Sequence, residues 1–136
     1  MSPSAISSQK EIRILIADDH PVVREGLVTI LALQKDFKVV GQARDGEEAC
    51  VLYDQLSPDI LILDLRMPKK DGQEVVSELM SREPRPRIIV LTNYDLPEYK
   101  NAAIALGASH FLDKARDYGR LPEVLHELCA AHLTKR

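Results

Sequence analysis

Five side chains in this sequence suit the handling of a phosphoryl group, and each stands where a short apolar run stops. IRILIA runs into Asp18 and Asp19, ILIL into Asp64, RIIVL into Thr92, and HFLD into Lys114. Three carboxylates gathered in one place repel one another, so either one carboxyl pKa rises or a cation is recruited. Oxygen donors favour a hard ion, and a few carboxylates with room for waters and a phosphate oxygen suit Mg2+. A hydroxyl and an ammonium complete the set, because a phosphoryl group in transit spreads charge over oxygens that donors and cations stabilise. Asp64 is then the candidate nucleophile, since carboxylates form aspartyl-phosphate intermediates. Taken singly, the residues have plainer readings. Asp18-Asp19 is a helix N-cap with a polar neighbour, Thr92 a strand end, and Lys114 a surface lysine laying its stem on apolar neighbours. Their joint occurrence at run ends carries the phosphoryl reading.

The elements that must position these groups alternate regularly. Strands are expected over Ile12–Ala17, Phe37–Gly41, Ile60–Leu63, Arg87–Leu91 and Ser109–Leu112, most of them nearly continuous aliphatic runs. Such runs fit strands covered on both faces of a parallel sheet. Between them come stripes at helical spacing: Val23, Leu27, Ile30, Leu31; then Ala49, Leu52, Tyr53, Leu56; then Gly72, Val75, Val76, Leu79, Met80. Tyr99, Ala102, Ala103 and Leu106 form a fourth stripe, and Leu121, Val124, Leu125, Leu128 and Cys129 a fifth, all read as core-facing. Asp45 with Glu48 and Asp71 with Glu74 have capping-box spacing. Pro58, Pro84 and Pro86 break the chain before strands three and four, Gly107 suits a helix C-cap, and Pro122 suits a first turn. Five β/α units with right-handed crossovers make an α/β, doubly wound three-layer sandwich around a five-stranded parallel sheet. Ligands bind at the carboxyl edge of such a sheet, where the five side chains would converge.

Composition narrows the class further. A chain of 136 residues that is 45% hydrophobic and 29% charged has the balance of one soluble globular domain. With no Trp and few aromatics the core should be aliphatic. The net charge of -3 argues against direct nucleic-acid binding, which draws its affinity from Lys and Arg neutralising phosphates. The short basic stretches near Arg82–Arg87 and at Lys135-Arg136 read as solvated. Cys50 and Cys129 fall on different expected helices, outside any metal-like spacing, and fit reduced thiols in a cytoplasmic compartment. No run approaches the roughly 18 apolar residues of a membrane span, and the first ten residues carry no apolar stretch of a secretory signal.

The segments IADDHPVVREGL (Ile16–Leu27), LILDLRMP followed by DG (Leu61–Gly72), Leu91-Thr92, and GASHFLDK (Gly107–Lys114) resemble the receiver domain of bacterial two-component response regulators. The resemblance runs from about Glu11 to about Leu133, and ADDHPVVREGL is most similar to the nitrate-regulator type of receiver. It implies a flavodoxin-like (βα)5 fold in which Asp64 accepts phosphate from the phosphohistidine of a sensor histidine kinase or a phosphotransfer protein. Asp18, Asp19 and Asp64, with the backbone carbonyl of Arg66, would hold Mg2+. Thr92 and Lys114 would bind phosphoryl oxygens. Phe111 falls at the family's switch aromatic, which moves with the threonine and remodels the face of the fourth helix, fifth strand and fifth helix. That face would control a downstream protein partner or a phosphorylation-dependent homodimer. In this reading the chain is no enzyme beyond its own phosphorylation and dephosphorylation.

The sequence departs from the family in places. Ala115 follows the lysine where many receivers have a cis proline; a non-proline cis bond costs about 2.5–4 kcal/mol, so a trans bond is expected. Lys69-Lys70 replaces a common Gly-apolar pair and either steers an anionic donor or is solvated, the reading we favour. Arg66 and Asn93 flank the site entrance and are expected to tune the lifetime of the phosphorylated state. His20 is placed in the loop by the acidic pair; His110, His126 and His132 are read as structural or solvated. A metal-dependent phosphohydrolase of the haloacid dehalogenase type needs an acid two residues after its nucleophile, where this chain has Arg66. A flavodoxin-type cofactor site would be repelled by Asp18-Asp19, and a phosphate-independent docking module would not need all five groups. The expected division is a disordered lead-in over 1–10, a receiver over 11–133 and a tail over 134–136. Too few residues follow the last helix for a helix-turn-helix reader, which leaves a stand-alone receiver, the reading favoured, or one cut from a longer regulator.

Overall fold

The computed structural model describes residues 11–93 and 96–134, with side chains through Cys129. The expected lead-in, the Lys135-Arg136 end and the His132 side chain lie outside the described residues. In chain order the elements are β1 (Ile12–Ala17), α1 (Pro21–Ala32), β2 (Phe37–Ala43), α2 (Gly46–Leu56), β3 (Ile60–Leu63), α3 (Gly72–Leu79), β4 (Ile88–Thr92), α4 (Pro97–Leu106), β5 (His110–Asp113) and α5 (Leu121–Thr134). A single 3-10 turn, Tyr118–Arg120, precedes α5.

All strand pairs are parallel, in the order β2-β1-β3-β4-β5. Because successive strand side chains point to opposite faces, each aliphatic run feeds two cores. Leu15, Leu61, Leu63, Ile88 and Val90 pack on one side of the sheet with Ala49, Val75, Val76, Leu79 and Ala103 from α2, α3 and α4. Ile14, Ile16, Ile60, Ile62, Ile89 and Leu91 pack on the other with Leu27, Leu31, Leu121, Val124 and Leu125 from α1 and α5. This explains the continuous rather than alternating hydrophobicity of the strands. The strand order reverses between β1 and β3, so the crevice at their carboxyl ends is the place this topology reserves for ligands.

The expected elements form, with corrections at their ends. β2 runs two residues beyond Gly41, and it is bulged opposite β1, where Ile14 pairs with Val39 but Leu15 with Gly41. β4 and β5 each begin and end one residue later than expected, which makes Thr92 and Asp113 the last ladder residues. Asp71 and Glu74 form the full capping box. Asp45 caps α2 by accepting from the Glu48 N–H, but the Glu48 carboxylate takes the N–H of Arg44 rather than that of Asp45. Leu106, expected in the core, lies outside it at 38% exposure, in the last turn of α4 before the Gly107 C-cap. Both cysteines are free thiols, and burial raises the pKa of Cys50 to about 11. Among the described residues no helix is long and apolar enough to cross a membrane.

Candidate functional site

Backbone ladders bring the five chemical side chains to one edge. Ala17 is in register with Leu63, and the Asp64 N–H donates to the Ala17 carbonyl at 3.0 Å, so the acidic pair and Asp64 leave adjacent strands side by side. Thr92 pairs with Asp113, and the Lys114 N–H donates to the Thr92 carbonyl at 2.8 Å. The Asp18 carboxylate turns back on its own loop, accepting the His20 N–H at 2.9 Å. Arg24, one turn into α1, donates to the Asp18 carbonyl at 2.7 Å. Gly72 opens α3 directly against the strand end that carries Asp64, its N–H on the Leu65 carbonyl at 2.7 Å. A Cβ there would sit 2.6 Å from the Asp64 carbonyl oxygen and 2.7 Å from Leu65 Cα, which only glycine avoids.

The charges at this edge are dense and poorly hydrated. Asp18, Asp64 and Thr92 are buried, and the Lys114 ammonium bridges Asp18 Oδ2 at 2.6 Å and Asp64 Oδ2 at 3.2 Å. Burial pushes the Asp64 carboxyl pKa up, and Lys114 works against it while Asp18 adds to it. A hydrogen bond from the Thr92 side chain also lowers the Asp64 value, leaving the net shift upward. Burial acts to lower the Lys114 pKa, but the Asp18 hydrogen bond and the two carboxylate charges outweigh it and raise the net value. His20 Nδ1 lies 3.0 Å from Asp18 Oδ1 and 3.1 Å from Asp19 Oδ1. Among the described residues, Asp19 Oδ1 and Asp64 Oδ1 are buried oxygens that accept no hydrogen bond, the His20 Nδ1 near Asp19 being aligned with Asp18 Oδ1 instead. Orphaned anionic oxygens are costly, and these belong to a set (Asp18, Asp19, His20, Asp64) whose ligand atoms all lie within 4.8 Å of one another. The donors thus fit a cation, with the unbonded oxygens of Asp19 and Asp64 as its first partners.

Above them opens a cleft of about 410 Å³ lined by Asp19, His20, Asp64, Arg66, Met67, Asn93 and Lys114. The expected entrance residues, Arg66 and Asn93, are therefore at its rim, and both are exposed. Phe111 stands apart, half-buried on β5 against the core of α2, α3 and α4. Lys69 and Lys70 do not point charge at the cleft. Lys69 is exposed and ion-paired with Asp45 and Glu47 at 3.7 and 3.8 Å, and Lys70 pairs with Glu78. His126 stacks on Phe37 and reaches Asp36 Oδ2 at 2.9 Å, a packing role. The Lys114-Ala115 bond is trans, as expected; among the described residues the cis bond is Glu83-Pro84. Sequence reasoning missed Met67, Arg24 and the pair Asp113 and Asp117. For the last, the signal was two aspartates four apart, bracketing the lysine.

The sequence profile of the response regulator receiver domain matches residues 14–126. The chain belongs to that family. As a receiver domain of two-component systems it is similar to the transcriptional regulatory protein DegU of Brevibacillus brevis, 36% identical over 87% of this chain and 50% of that protein. It is likewise similar in structure to the signal receiver domain of the putative response regulator NarL from Mycobacterium tuberculosis. The two share 34% identity and a TM-score of 0.83, covering 88% of this chain and 96% of that one. The isolated receiver domain of RcsB from Salmonella enterica serovar Typhimurium, determined in the presence of phosphomimetic BeF3-, gives 30% identity and a TM-score of 0.81 over 89% and 90% of the two chains. The receiver spans about half the length of the curated relatives it matches.

Proposed function

We propose that this receiver takes a phosphoryl group from the phosphohistidine of a sensor histidine kinase or phosphotransfer protein onto Asp64. The observation that carries the reading is the division of labour within the Asp64 carboxylate: Oδ2 is held by Lys114, and Oδ1 is buried and unbonded at the cleft. A carboxylate oriented by one oxygen leaves the other to attack. In the transfer the P–O bond to Asp64 forms as the P–N bond to the donor imidazole breaks, and the imidazole takes up a proton. The Thr92 hydroxyl and the Lys114 ammonium then serve phosphoryl oxygens, exchanging partners within the pocket rather than gathering from solvent.

Asp18, Asp19, Asp64 and the Arg66 backbone carbonyl are the groups that would hold Mg2+, Asp19 and Asp64 through the oxygens that lack donors. The ion supplies charge neutralisation for the phosphoryl oxygens. Filling the pocket with a dianionic group draws Thr92 and Lys114 off their resting partners. Movement of Thr92 opens space beside β4 and β5 for Phe111, a two-state element biased by a local charge change. The affected surface is that of α4, β5 and α5, which would address a downstream protein or a second receiver. Arg66 and Asn93 at the rim set the access of attacking water and so the lifetime of the phosphorylated state.

The test is incubation with Mg2+ and acetyl phosphate followed by intact mass. We expect one added phosphate on the wild type and none on Asp64→Asn. A folded wild type that takes up no phosphate overturns the reading. An Arg66→Ala, Asn93→Ala double variant that loses phosphate at the wild-type rate removes the tuning role of the rim.

A further inference from the structure

The loop that carries Lys114 has no ring to stiffen it, since Ala115 and Arg116 follow and both are exposed. Yet the Lys114 side chain is held at 8% exposure with its ammonium on two carboxylates. A lysine stem is rich in rotamers, and its tip stays in one place only if the backbone beneath it is fixed. Two carboxylates outside the cleft do that fixing. Asp113 Oδ1 accepts the N–H groups of Ala115 and Arg116, both at 2.8 Å, an Asx-type turn. Asp117 Oδ2 accepts the Asp113 N–H at 2.9 Å, while the Asp117 N–H donates to the Asp113 carbonyl at 2.8 Å. The two residues close a ring of reciprocal bonds around Lys114. Asp117 is only 7% exposed, and the guanidinium groups of Arg116 and Arg120 stand 3.4 and 3.5 Å from its oxygens.

We propose that Asp113 and Asp117 are the positioning residues for Lys114, holding the β5 end and the next loop so that the ammonium stays between Asp18 and Asp64. The hydrogen bond from the Asp113 backbone also depresses the Asp117 carboxyl pKa, so the brace is ionised through the neutral range. The proposal rests on the reading of Lys114 as a phosphoryl-stabilising group, and it identifies what keeps that group in register where Ala115 provides no restraint. A displacement of the order of 1 Å at a positioned group costs up to about a hundredfold in rate, so a partial loosening should be felt in transfer.

A mutant cycle with acetyl phosphate as donor tests it. Asp117→Ala should slow phosphate uptake by about tenfold in the wild-type background and by less than twofold in Lys114→Ala, because the brace acts through the lysine. Equal losses in both backgrounds overturn the proposal, as that is the behaviour of general destabilisation. Asp117→Asn, which keeps an oxygen acceptor, should retain at least a third of the rate. If Asp117→Ala does not fold, the same cycle run with Asp117→Asn must show its smaller loss only when Lys114 is present. Amide hydrogen exchange gives a second readout that needs no phosphate. The Asp113, Ala115 and Arg116 amides should exchange at least tenfold faster in the Asp117 variant, and unchanged protection rejects the brace. Should the wild type take up no phosphate while these amides still loosen, the phosphoacceptor reading fails and the brace stands as a structural device.

Discussion

Replacing Asp64 by Asn should stabilise this protein while abolishing its proposed chemistry. The side chain faces Asp18 and Asp19 with ligand oxygens no farther than 4.8 Å away. At an effective dielectric constant of about 20, each such repulsion is at least ~3.5 kcal/mol. The attraction of Lys114 at 3.2 Å is worth about 5 kcal/mol on the same scale. The repulsions exceed it by roughly 2 kcal/mol, before the cost of the donorless Asp64 Oδ1 is counted. Asn removes the charge at nearly constant volume, and Lys114 keeps Asp18 at 2.6 Å. Thermal unfolding in EDTA near pH 7 should therefore show Asp64→Asn melting about 6 °C above the wild type, at some 3 °C per kcal/mol for a chain of this size. The sign with pH is fixed by the raised Asp64 pKa. The penalty is fully present above that raised value and disappears as pH falls below the unfolded value near 3.8. The two melting curves should converge there. Mg2+ at about a hundred times its Kd should close or invert the gap near neutrality, because a ligand at that level stabilises the wild type by about 2.7 kcal/mol. A lower melting temperature for Asp64→Asn in EDTA would refute the reasoning, because it would mean that the Lys114 bond outweighs the crowding of carboxylates.

Further outcomes follow from single contacts. Gly72→Ala drives a Cβ to within 2.6 Å of the Asp64 carbonyl; it should cost about 1–3 kcal/mol in denaturant unfolding and slow phosphate uptake by displacing Asp64, the proposed acceptor. Lys69→Gly should stabilise by about 1 kcal/mol in urea unfolding, since φ is 71° there and the ion pairs lost are exposed. For Asp117 the folded pKa is depressed, so its contribution to stability holds above the unfolded value near 3.8 and is lost as pH falls through the folded value. Between those two values the melting temperature of Asp117→Asn should fall less steeply with falling pH than that of the wild type.

Much of this molecule is legible in its sequence because the relevant physics is local. A run such as Ile60–Leu63 is buried on all sides, and a strand covered on both faces has no reason to alternate; its polar successor must then be the strand-end residue. That logic picks out Asp64, the Asp18-Asp19 pair, Thr92 and Lys114 from the sequence alone, and the capping pairs bound α2 and α3 from side-chain chemistry. The one-residue errors at β4 and β5 arose because ladder bonds, not hydrophobicity, decide where a strand stops. The lysine pair at Lys69-Lys70 stays off the cleft as expected, but its ion pairs with Asp45, Glu47 and Glu78 were not legible because those partners come from two other elements.

By itself the sequence determined which chemical groups reach the carboxyl edge and in what order, since strand burial and helix periodicity are properties of neighbouring residues. Tertiary structure decided how those groups divide the work. The pairing of β1 with β3 set Asp64 beside Asp18, and that proximity made Lys114 bind one oxygen of each and left Asp64 Oδ1 without a donor. Only the folded loop revealed that Asp113 and Asp117 lock the lysine's backbone from outside the cleft. Hydrogen bonds are directional, and which of a carboxylate's two oxygens is spoken for depends on positions fixed by the whole sheet.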